Sequence, residues 1–250
     1  MQRYFVKHTL QVGQTITTTP DLYKHAITVM RLAINNEVEL VDDTQHVFLG
    51  KLITDDKTTH QAQLLITADI TKVVEMPIDI TIACGIPKGD KAETIVQKGT
   101  QLGAKRFLFL NTVYSVAKWI GNKQTKKQAR LQKIAFEAAQ QAHRTFVPEV
   151  QVLTDFEQLL HYPATQKLVA YEESAKQGET AQLVKTFTAM QPQQSLLAFF
   201  GPEGGIAPQE IAQLQANQFK LAGLGPRILR AETAPLYLLA AASYHFELRH

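Results

Sequence analysis

The sequence predicts a small, mostly β domain followed by a larger α/β domain with a largely parallel sheet. The first seventy-odd residues alternate short β-prone runs with polar breaks, and only one stretch has helical spacing. From Ile78 onward, short apolar runs alternate with longer segments of helical periodicity, which is typical of βαβ units. The pattern breaks at Glu75-Met76-Pro77. The predicted domains are therefore residues 1–75 and 76–250.

The first domain contains three predicted strands and one predicted helix. Residues 38–41, 47–53 and 64–74 favour strands, because their side chains alternate between two faces. Residues 21–32 carry apolar side chains at helical spacing, and Asp21 is the predicted N-cap. These elements are sufficient for a compact β domain.

The second domain contains five apolar runs of the buried-strand type. They occupy residues 78–84, 107–110, 167–171, 195–200 and 219–221. Parallel sheets bind their ligands beyond the carboxyl ends of the strands. We therefore expect the functional residues in the loops that follow these runs.

Composition excludes several classes of protein. At 45% hydrophobic and 20% charged residues, the chain of 250 residues is typical of globular proteins. Its apolar runs are shorter than the roughly 18 residues of a membrane span, and residues 1–10 lack a secretory signal pattern. The single cysteine, Cys84, cannot form an internal disulfide and suits the reducing cytoplasm. The eight histidines lack metal-ligand spacing, so we expect no metal site.

The net charge of +3 is distributed unevenly along the chain. Residues 88–148 hold twelve Lys and Arg against three Asp and Glu, whereas residues 1–75 hold seven against nine. Lys126, Arg130 and Lys133 share one helix face at spacings of four and three. A local excess of this kind is typical of a surface that binds a polyanion such as RNA. The alternative is a solvated helix face.

Two glycine-containing loops follow predicted strands. The first lies within FFGPEGGIAP at residues 199–208, and the second lies within LAGLGPRILRAETAP at residues 221–235. Glycine lets the backbone approach a ligand closely, so the first loop suits a nucleoside-like ligand. The first loop matches neither the P-loop nor the GxGxxG pattern, which disfavours nucleotide hydrolysis and hydride transfer. The alternatives are ordinary turns and, in the second loop, a structural ion pair between Arg230 and Glu232.

The two loops and the basic segment together resemble the RsmE-type 16S ribosomal RNA uridine N3-methyltransferases of the SPOUT superfamily. The most specific matches are GPEGG at residues 201–205 and LGPRILRAETA at residues 224–234. Further matches are HAITVMRL at 25–32, PKGDK at 87–91 and EAAQQAHR at 137–144. The resemblance implies a PUA-like β-barrel domain followed by a SPOUT-type α/β domain with a trefoil knot. It also implies S-adenosyl-L-methionine as cofactor, a homodimer, and methylation of N3 of one uridine near the decoding region of the small ribosomal subunit.

The resemblance assigns roles to residues of both loops. Arg230 is expected to stabilise the negative charge that develops on the uracil oxygens. Glu232 is the best candidate close to Arg230 in the sequence to accept the N3 proton, and its alternative role is to orient Arg230. Thr233 is also the predicted cap of the apolar helix that follows. The residues expected to hold the cofactor are Tyr171, Glu172, Phe200, Gly201, Pro202, Glu203, Gly204, Gly205, Leu221, Leu224, Gly225, Ile228, Leu229, Thr233 and Ala234.

Charge and resemblance together predict the RNA contacts, with 16S ribosomal RNA or the small subunit as partner. The expected contact residues are Arg3, Arg31, Lys98, Lys118, Lys126, Arg130, Lys133 and Arg144. Two other functions stay open at this point. One is a SPOUT methyltransferase that acts on another RNA base or on a ribose 2′-hydroxyl. The other is a non-catalytic RNA-binding assembly factor. The helix at 236–246 is either buried core or a dimer interface.

Overall fold

The chain forms two compact units. The structure, a computed structural model, describes residues 1–173 and 181–249. The first unit consists of Met1–Glu75 and Ala139–Phe146, and the second of Met76–Ala138 and Val147–His250. Each unit has its own hydrophobic core.

The first unit contains a five-stranded sheet with the order β1-β3-β4-β5-β2. Its strands are β1 (Arg3–Phe5), β2 (Thr15–Thr17), β3 (Glu37–Val41), β4 (Val47–Asp56) and β5 (Gln61–Asp69). β1 pairs with β3 in parallel, and the other pairs are antiparallel. The three predicted strands are confirmed, although the last of them ends at Asp69. β1 and β2 have three residues each, which is too short for a periodic signal.

The helix of the first unit is shorter than predicted. α1 (Pro20–Tyr23) continues as a π-helical segment, Lys24–Val29. Its N-cap is Thr19, whose hydroxyl oxygen accepts a hydrogen bond from Leu22 N at 3.3 Å. The prediction of Asp21 as the cap is therefore wrong. Pro20 occupies the first turn, where its missing N–H has no intrahelical partner to lose.

The second unit contains a fully parallel six-stranded sheet with the order β11-β9-β10-β6-β7-β8. Its strands are β6 (Asp79–Gly85), β7 (Arg106–Leu110), β8 (Glu149–Val152), β9 (Gln166–Ala170), β10 (Ser195–Phe200) and β11 (Lys220–Ala222). Its helices are α2 (Lys91–Gln101), α3 (Asn122–Gln141), α4 (Phe156–Leu160), α5 (Gln182–Ala189), α6 (Pro208–Ala216) and α7 (Thr233–Ser243), the last followed by a π-helical turn, Tyr244–Leu248. Within the described ranges, none of these helices is long and apolar enough to cross a membrane.

Both faces of the parallel sheet are buried, which explains the continuous apolar runs in its strands. On one face, side chains such as Ile82 and Phe107 pack with α2, α3, α5 and α7. On the other face, side chains such as Leu108 and Phe199 pack with α4 and α6. The five predicted strands of this domain are confirmed. β8 was not predicted, because its sequence EVQV alternates polar and apolar residues over only four positions.

The strand order decides where the candidate loops lie. β9 pairs with both β10 and β11, and all three strands are parallel. The chain therefore leaves these three strands at the same edge of the sheet. Residues that follow β9, β10 and β11 are brought together there, although they come from three distant parts of the sequence.

Candidate cofactor and catalytic site

A cavity of about 650 Å³ lies at the carboxyl edge of β9, β10 and β11. Its lining residues are Ala170, Tyr171, Glu172, Glu173, Phe200, Gly201, Pro202, Glu203, Gly204, Gly205, Ile206, Leu224, Gly225, Pro226, Arg227, Ile228, Leu229, Arg230, Ala231 and Ala234. All the predicted cofactor residues line this cavity except Leu221 and Thr233. Leu221 lies in β11 and packs against the core, and Thr233 is the first residue of α7.

Two glycines shape the loops that form the cavity wall. A Cβ at Gly201 would lie 2.7 Å from Cγ1 of Ile206 and 3.0 Å from the carbonyl carbon of Gly205. Gly225 has a φ of +92°, a conformation that L side chains rarely adopt. Each loop therefore requires glycine in order to turn tightly beside the cavity.

The cavity combines apolar walls with exposed backbone and a few charged groups. Phe200, Leu224 and Ile228 provide apolar surface, while the glycine-rich backbone provides donors and acceptors. Glu172 and Arg230 add charge of both signs. A nucleoside that carries an amino acid, such as S-adenosyl-L-methionine, has a flat apolar base, a polar ribose and a charged end. The lining fits such a ligand, and the volume lies within the usual range for small-molecule sites.

The side chains of Arg230 and Glu232 lie in different environments. Arg230 lines the cavity and is exposed, and no described acidic side chain forms an ion pair with it. Glu232 is absent from the cavity lining; its Oε2 is shielded from solvent and lies 3.4 Å from Lys91 Nζ. The structure therefore does not show the Arg230–Glu232 ion pair. Its carboxylate faces Lys91 instead, so Glu232 does not orient Arg230 through an ion pair, and its role as acceptor of the N3 proton stays a prediction.

The start of α7 also differs from the prediction. Glu232 occupies the N-cap position, and no side chain caps the helix there. Thr233 is the first helical residue, so the prediction that it is the cap is wrong. Helix formation here depends on burial of Leu238 and Leu239 rather than on a local capping signal.

Comparison with known proteins identifies the relatives of this chain. Residues 74–243 match a family model described as an RNA methyltransferase domain, and residues 18–65 match an RNA methyltransferase PUA domain. The chain is 40% identical to ribosomal RNA small subunit methyltransferase E of Bacillus subtilis, over 99% of this chain and 98% of the relative. It is 32% identical to the protein of the same name from Synechocystis, over 92% of this chain and 73% of the relative.

The chain belongs to the ribosomal RNA small subunit methyltransferase E family.

A solved structure of the family has the same fold. The family member from Neisseria gonorrhoeae, bound to S-adenosyl methionine, has a TM-score of 0.84 and 27% identity, with 97% of each chain covered. The predicted fold class is confirmed: a SPOUT-type α/β methyltransferase domain with an N-terminal PUA-like domain.

Six of the eight predicted RNA-contact residues of this family member are exposed. Arg31 lies in the first unit and has a φ of +56°. In the second unit, Arg130 NH2 lies 2.7 Å from Glu93 Oε2 and Lys133 Nζ lies 3.7 Å from Glu137 Oε1. The other exposed residues of the set are Lys98, Lys118 and Lys126.

Arg3 and Arg144 are buried inside the first unit, with 8% and 4% of their surface exposed. Arg3 Nε donates to Glu39 Oε2 at 2.7 Å, and Arg144 Nε donates to Glu75 Oε2 at 3.1 Å. Buried charges require such partners, and removing either partner is costly. This burial corrects the prediction that Arg3 and Arg144 contact RNA.

Sequence reasoning missed one charged residue of the site. Lys91 Nζ lies 2.6 Å from Glu203 Oε1 as well as 3.4 Å from Glu232 Oε2. In the sequence, Lys91 is one of many lysines in the basic segment. Its only distinguishing signal is its place in the PKGDK motif at residues 87–91.

Proposed function

We propose that this protein transfers a methyl group from S-adenosyl-L-methionine to N3 of a uridine in 16S ribosomal RNA. Membership of the family makes it an RNA methyltransferase of the small ribosomal subunit that uses S-adenosyl-L-methionine. The assignment of N3 of uridine as the methylated atom goes beyond what family membership shows. The observation that carries it is that Arg230 is exposed and lies in the wall of the cofactor cavity.

The cofactor is held by backbone and apolar side chains of the loops after β9, β10 and β11. Gly201–Gly205 and the glycine turn at Gly225 allow close approach of backbone N–H and C=O groups. When bound, S-adenosyl-L-methionine supplies an electrophilic methyl group on its sulfonium. The protein positions the base, excludes water and stabilises charge, which provide most of the rate of such a transfer.

Arg230 stabilises the uracil as it loses the N3 proton. N3 of uracil carries a proton in the Watson–Crick edge, so the base must be unstacked, and the proton must pass to an acceptor before N3 can attack the methyl group. Glu232, two residues after Arg230, is the proposed acceptor. The resulting negative charge spreads onto O2 and O4. A guanidinium presents a planar fork of donors that suits two such oxygens. The lack of an ion pair between Arg230 and any described carboxylate supports this role.

The RNA contacts the exposed basic residues of the second unit. Lys126, Arg130 and Lys133 lie on one side of α3, and Lys98 and Lys118 add further charge. Arg31 contributes from the first unit. These cations neutralise phosphates, so binding depends strongly on salt. Because its substrate is ribosomal, the protein acts in the cytoplasm.

A second copy of the chain binds the exposed stripe of α7 and the turn after it. Tyr237, Tyr244 and Leu248 are 42%, 64% and 69% exposed, and they recur at helical spacing. Monomeric surfaces rarely leave several large apolar side chains side by side. This stripe is therefore the interface of a homodimer, while Leu238 and Leu239 on the opposite side fill the core.

The function is tested by comparing the 16S ribosomal RNA nucleosides of three strains. They are the parent strain, the deletion strain, and the deletion strain that carries the wild-type gene on a plasmid. We expect the deletion strain to lack 3-methyluridine, and a plasmid with the wild-type gene to restore it. If the deletion strain instead lacked a ribose-methylated or differently methylated nucleoside, the protein would methylate another atom of the RNA. Unchanged nucleosides, together with no calorimetric binding of S-adenosyl-L-methionine, would make it a non-catalytic RNA-binding factor.

A further inference from the structure

A cluster of three charged side chains joins α2 to the two loops that form the cofactor cavity. Lys91 is the first residue of α2. Its ammonium lies 2.6 Å from Glu203 Oε1 in the loop after β10, and 3.4 Å from Glu232 Oε2 at the end of the loop after β11. One lysine therefore links the two loops.

The cluster is shielded from solvent on all three members. The side chains of Lys91, Glu203 and Glu232 are only 26%, 25% and 22% exposed, and Oε2 of Glu232 has no solvent contact. Glu203 also accepts hydrogen bonds from the backbone N–H of Lys88, at 3.1 and 3.3 Å. Partly buried charges interact more strongly than surface charges and are screened less by salt. The contacts of Lys91 therefore restrain both loops.

Both carboxylates are adjacent to groups of the proposed site. Glu203 itself lines the cavity, between Pro202 and Gly204. Glu232 lies two residues after Arg230 and two residues before Ala234, which also lines the cavity. A shift of either carboxylate would therefore move the backbone that surrounds the cofactor.

We propose that Lys91 is a positioning residue of the cofactor site, which holds the two loops at the separation that S-adenosyl-L-methionine requires. Lys91 is not itself part of the cavity lining, so it acts through Glu203 and Glu232. The proposal rests on the proposed function only for the identity of the ligand. A purely structural ion pair would change the stability of the ligand-free protein and leave cofactor affinity unchanged.

Calorimetric titration of S-adenosyl-L-methionine into the full-length protein tests the role of Lys91. We expect Lys91→Met to weaken binding about tenfold and Lys91→Arg to remain within about threefold of wild type, because arginine retains the charge. Lys185→Met is the matched control, since Lys185 is an exposed helical lysine outside both loops, and it should bind as wild type. Thermal unfolding of each ligand-free variant separates affinity from folding.

Glu232→Gln provides a second test, which keeps the shape of the side chain and removes its charge. We expect it to weaken binding, and we expect the Lys91→Met/Glu232→Gln double variant to lose less than the sum of the two single losses, because both act through one contact. Wild-type affinity in a folded Lys91→Met protein would overturn the proposal. If Lys91→Met does not fold, wild-type affinity in Glu232→Gln would overturn it.

The same titration separates this proposal from the proposed function. A wild-type protein that binds S-adenosyl-L-methionine but leaves 16S ribosomal RNA unmodified contradicts the function and leaves the role of Lys91 intact. A wild-type protein with no measurable affinity for S-adenosyl-L-methionine contradicts both.

Discussion

The carboxylate of Glu210 accepts a hydrogen bond from the backbone N–H of Val113 at 2.9 Å. Glu210 lies in the first turn of α6 and is 4% exposed. Its other oxygen accepts a hydrogen bond from Ala207 N at 3.0 Å. The residue thus ties the loop after β7 to the end of the loop after β10, close to the cofactor cavity. In agreement with this close contact, a Cβ at Gly204 would lie 2.9 Å from Tyr114 Cβ.

Replacing Glu210 with glutamine should destabilise the protein. The amide group has only one acceptor oxygen, so one of the two N–H groups loses its partner. A buried polar group without a partner costs about 1–3 kcal/mol. Urea unfolding of Glu210→Gln should show this loss in the free energy of unfolding. Glu157→Gln, at an exposed position of α4, is the control, and equal stability of the two variants would contradict the assignment.

Asp42 should contribute to the pH dependence of stability. Burial alone would raise the pKa of Asp42, but hydrogen bonds from Thr44, Leu10 and His46 outweigh it and lower the pKa below the ordinary 3.8. Because the pKa is lower in the folded state, this stabilisation is present above the unfolded-state pKa and is lost as pH falls through the folded-state pKa.

The measurement is the free energy of unfolding between neutral pH and about pH 3. Asp42→Asn should be less stable than wild type at pH 7 and should lose less stability on acidification. Asp43→Asn, at the exposed neighbouring position, should retain the wild-type slope. An identical slope for wild type and Asp42→Asn would exclude Asp42 as a source of the acid sensitivity.

Reversing the charges on α3 should weaken RNA binding and its salt dependence. With Lys126, Arg130 and Lys133 all changed to glutamate, up to three phosphate contacts are lost. The slope of log affinity against log salt should then become shallower by roughly two. The control reverses three exposed lysines outside the basic segment: Lys57, Lys72 and Lys185. Equal slopes for the two triple variants would show that α3 is only a solvated face.

A charge in the exposed stripe of α7 should separate the homodimer. Tyr244→Glu places a carboxylate in the proposed apolar interface, where a buried unpaired charge is strongly unfavourable. Light scattering should show a dimer for wild type and a monomer for this variant. Val12→Glu, at an exposed apolar position of the first unit, should remain dimeric. A dimeric Tyr244→Glu protein would place the interface elsewhere.

Local sequence patterns predict much of the fold. The features that they do not predict depend on pairing between strands that are distant in the sequence. The apolar run at 195–200 matches both ends of β10, because a strand buried on both faces is apolar throughout. β1 and β2 carry no such signal, since they are short and are stabilised by the strands beside them. The order β11-β9-β10-β6-β7-β8 follows from pairing between distant segments, which no local pattern contains.

The candidate site also combines features that are visible in the local sequence with contacts between residues that are distant in the sequence. The glycine loops after β10 and β11 are visible in the sequence, because each turn depends on its own residues. The contact of Lys91 with Glu203 joins positions 112 residues apart, so it becomes visible only in the folded chain. Burial likewise separates Arg3 and Arg144 from the exposed arginines, although all have the same chemistry in the sequence.

Methylation of 16S ribosomal RNA by the purified Arg230→Ala variant tests the central claim most directly. A hydrogen-bond donor that stabilises developing negative charge raises the rate by about 10²–10³. We therefore expect the rate of 3-methyluridine formation to fall by about that factor. Calorimetry should give an affinity for S-adenosyl-L-methionine within about threefold of wild type, so that the loss lies in the transfer step. Wild-type rates of 3-methyluridine formation by Arg230→Ala would contradict the proposed role of Arg230 at the site.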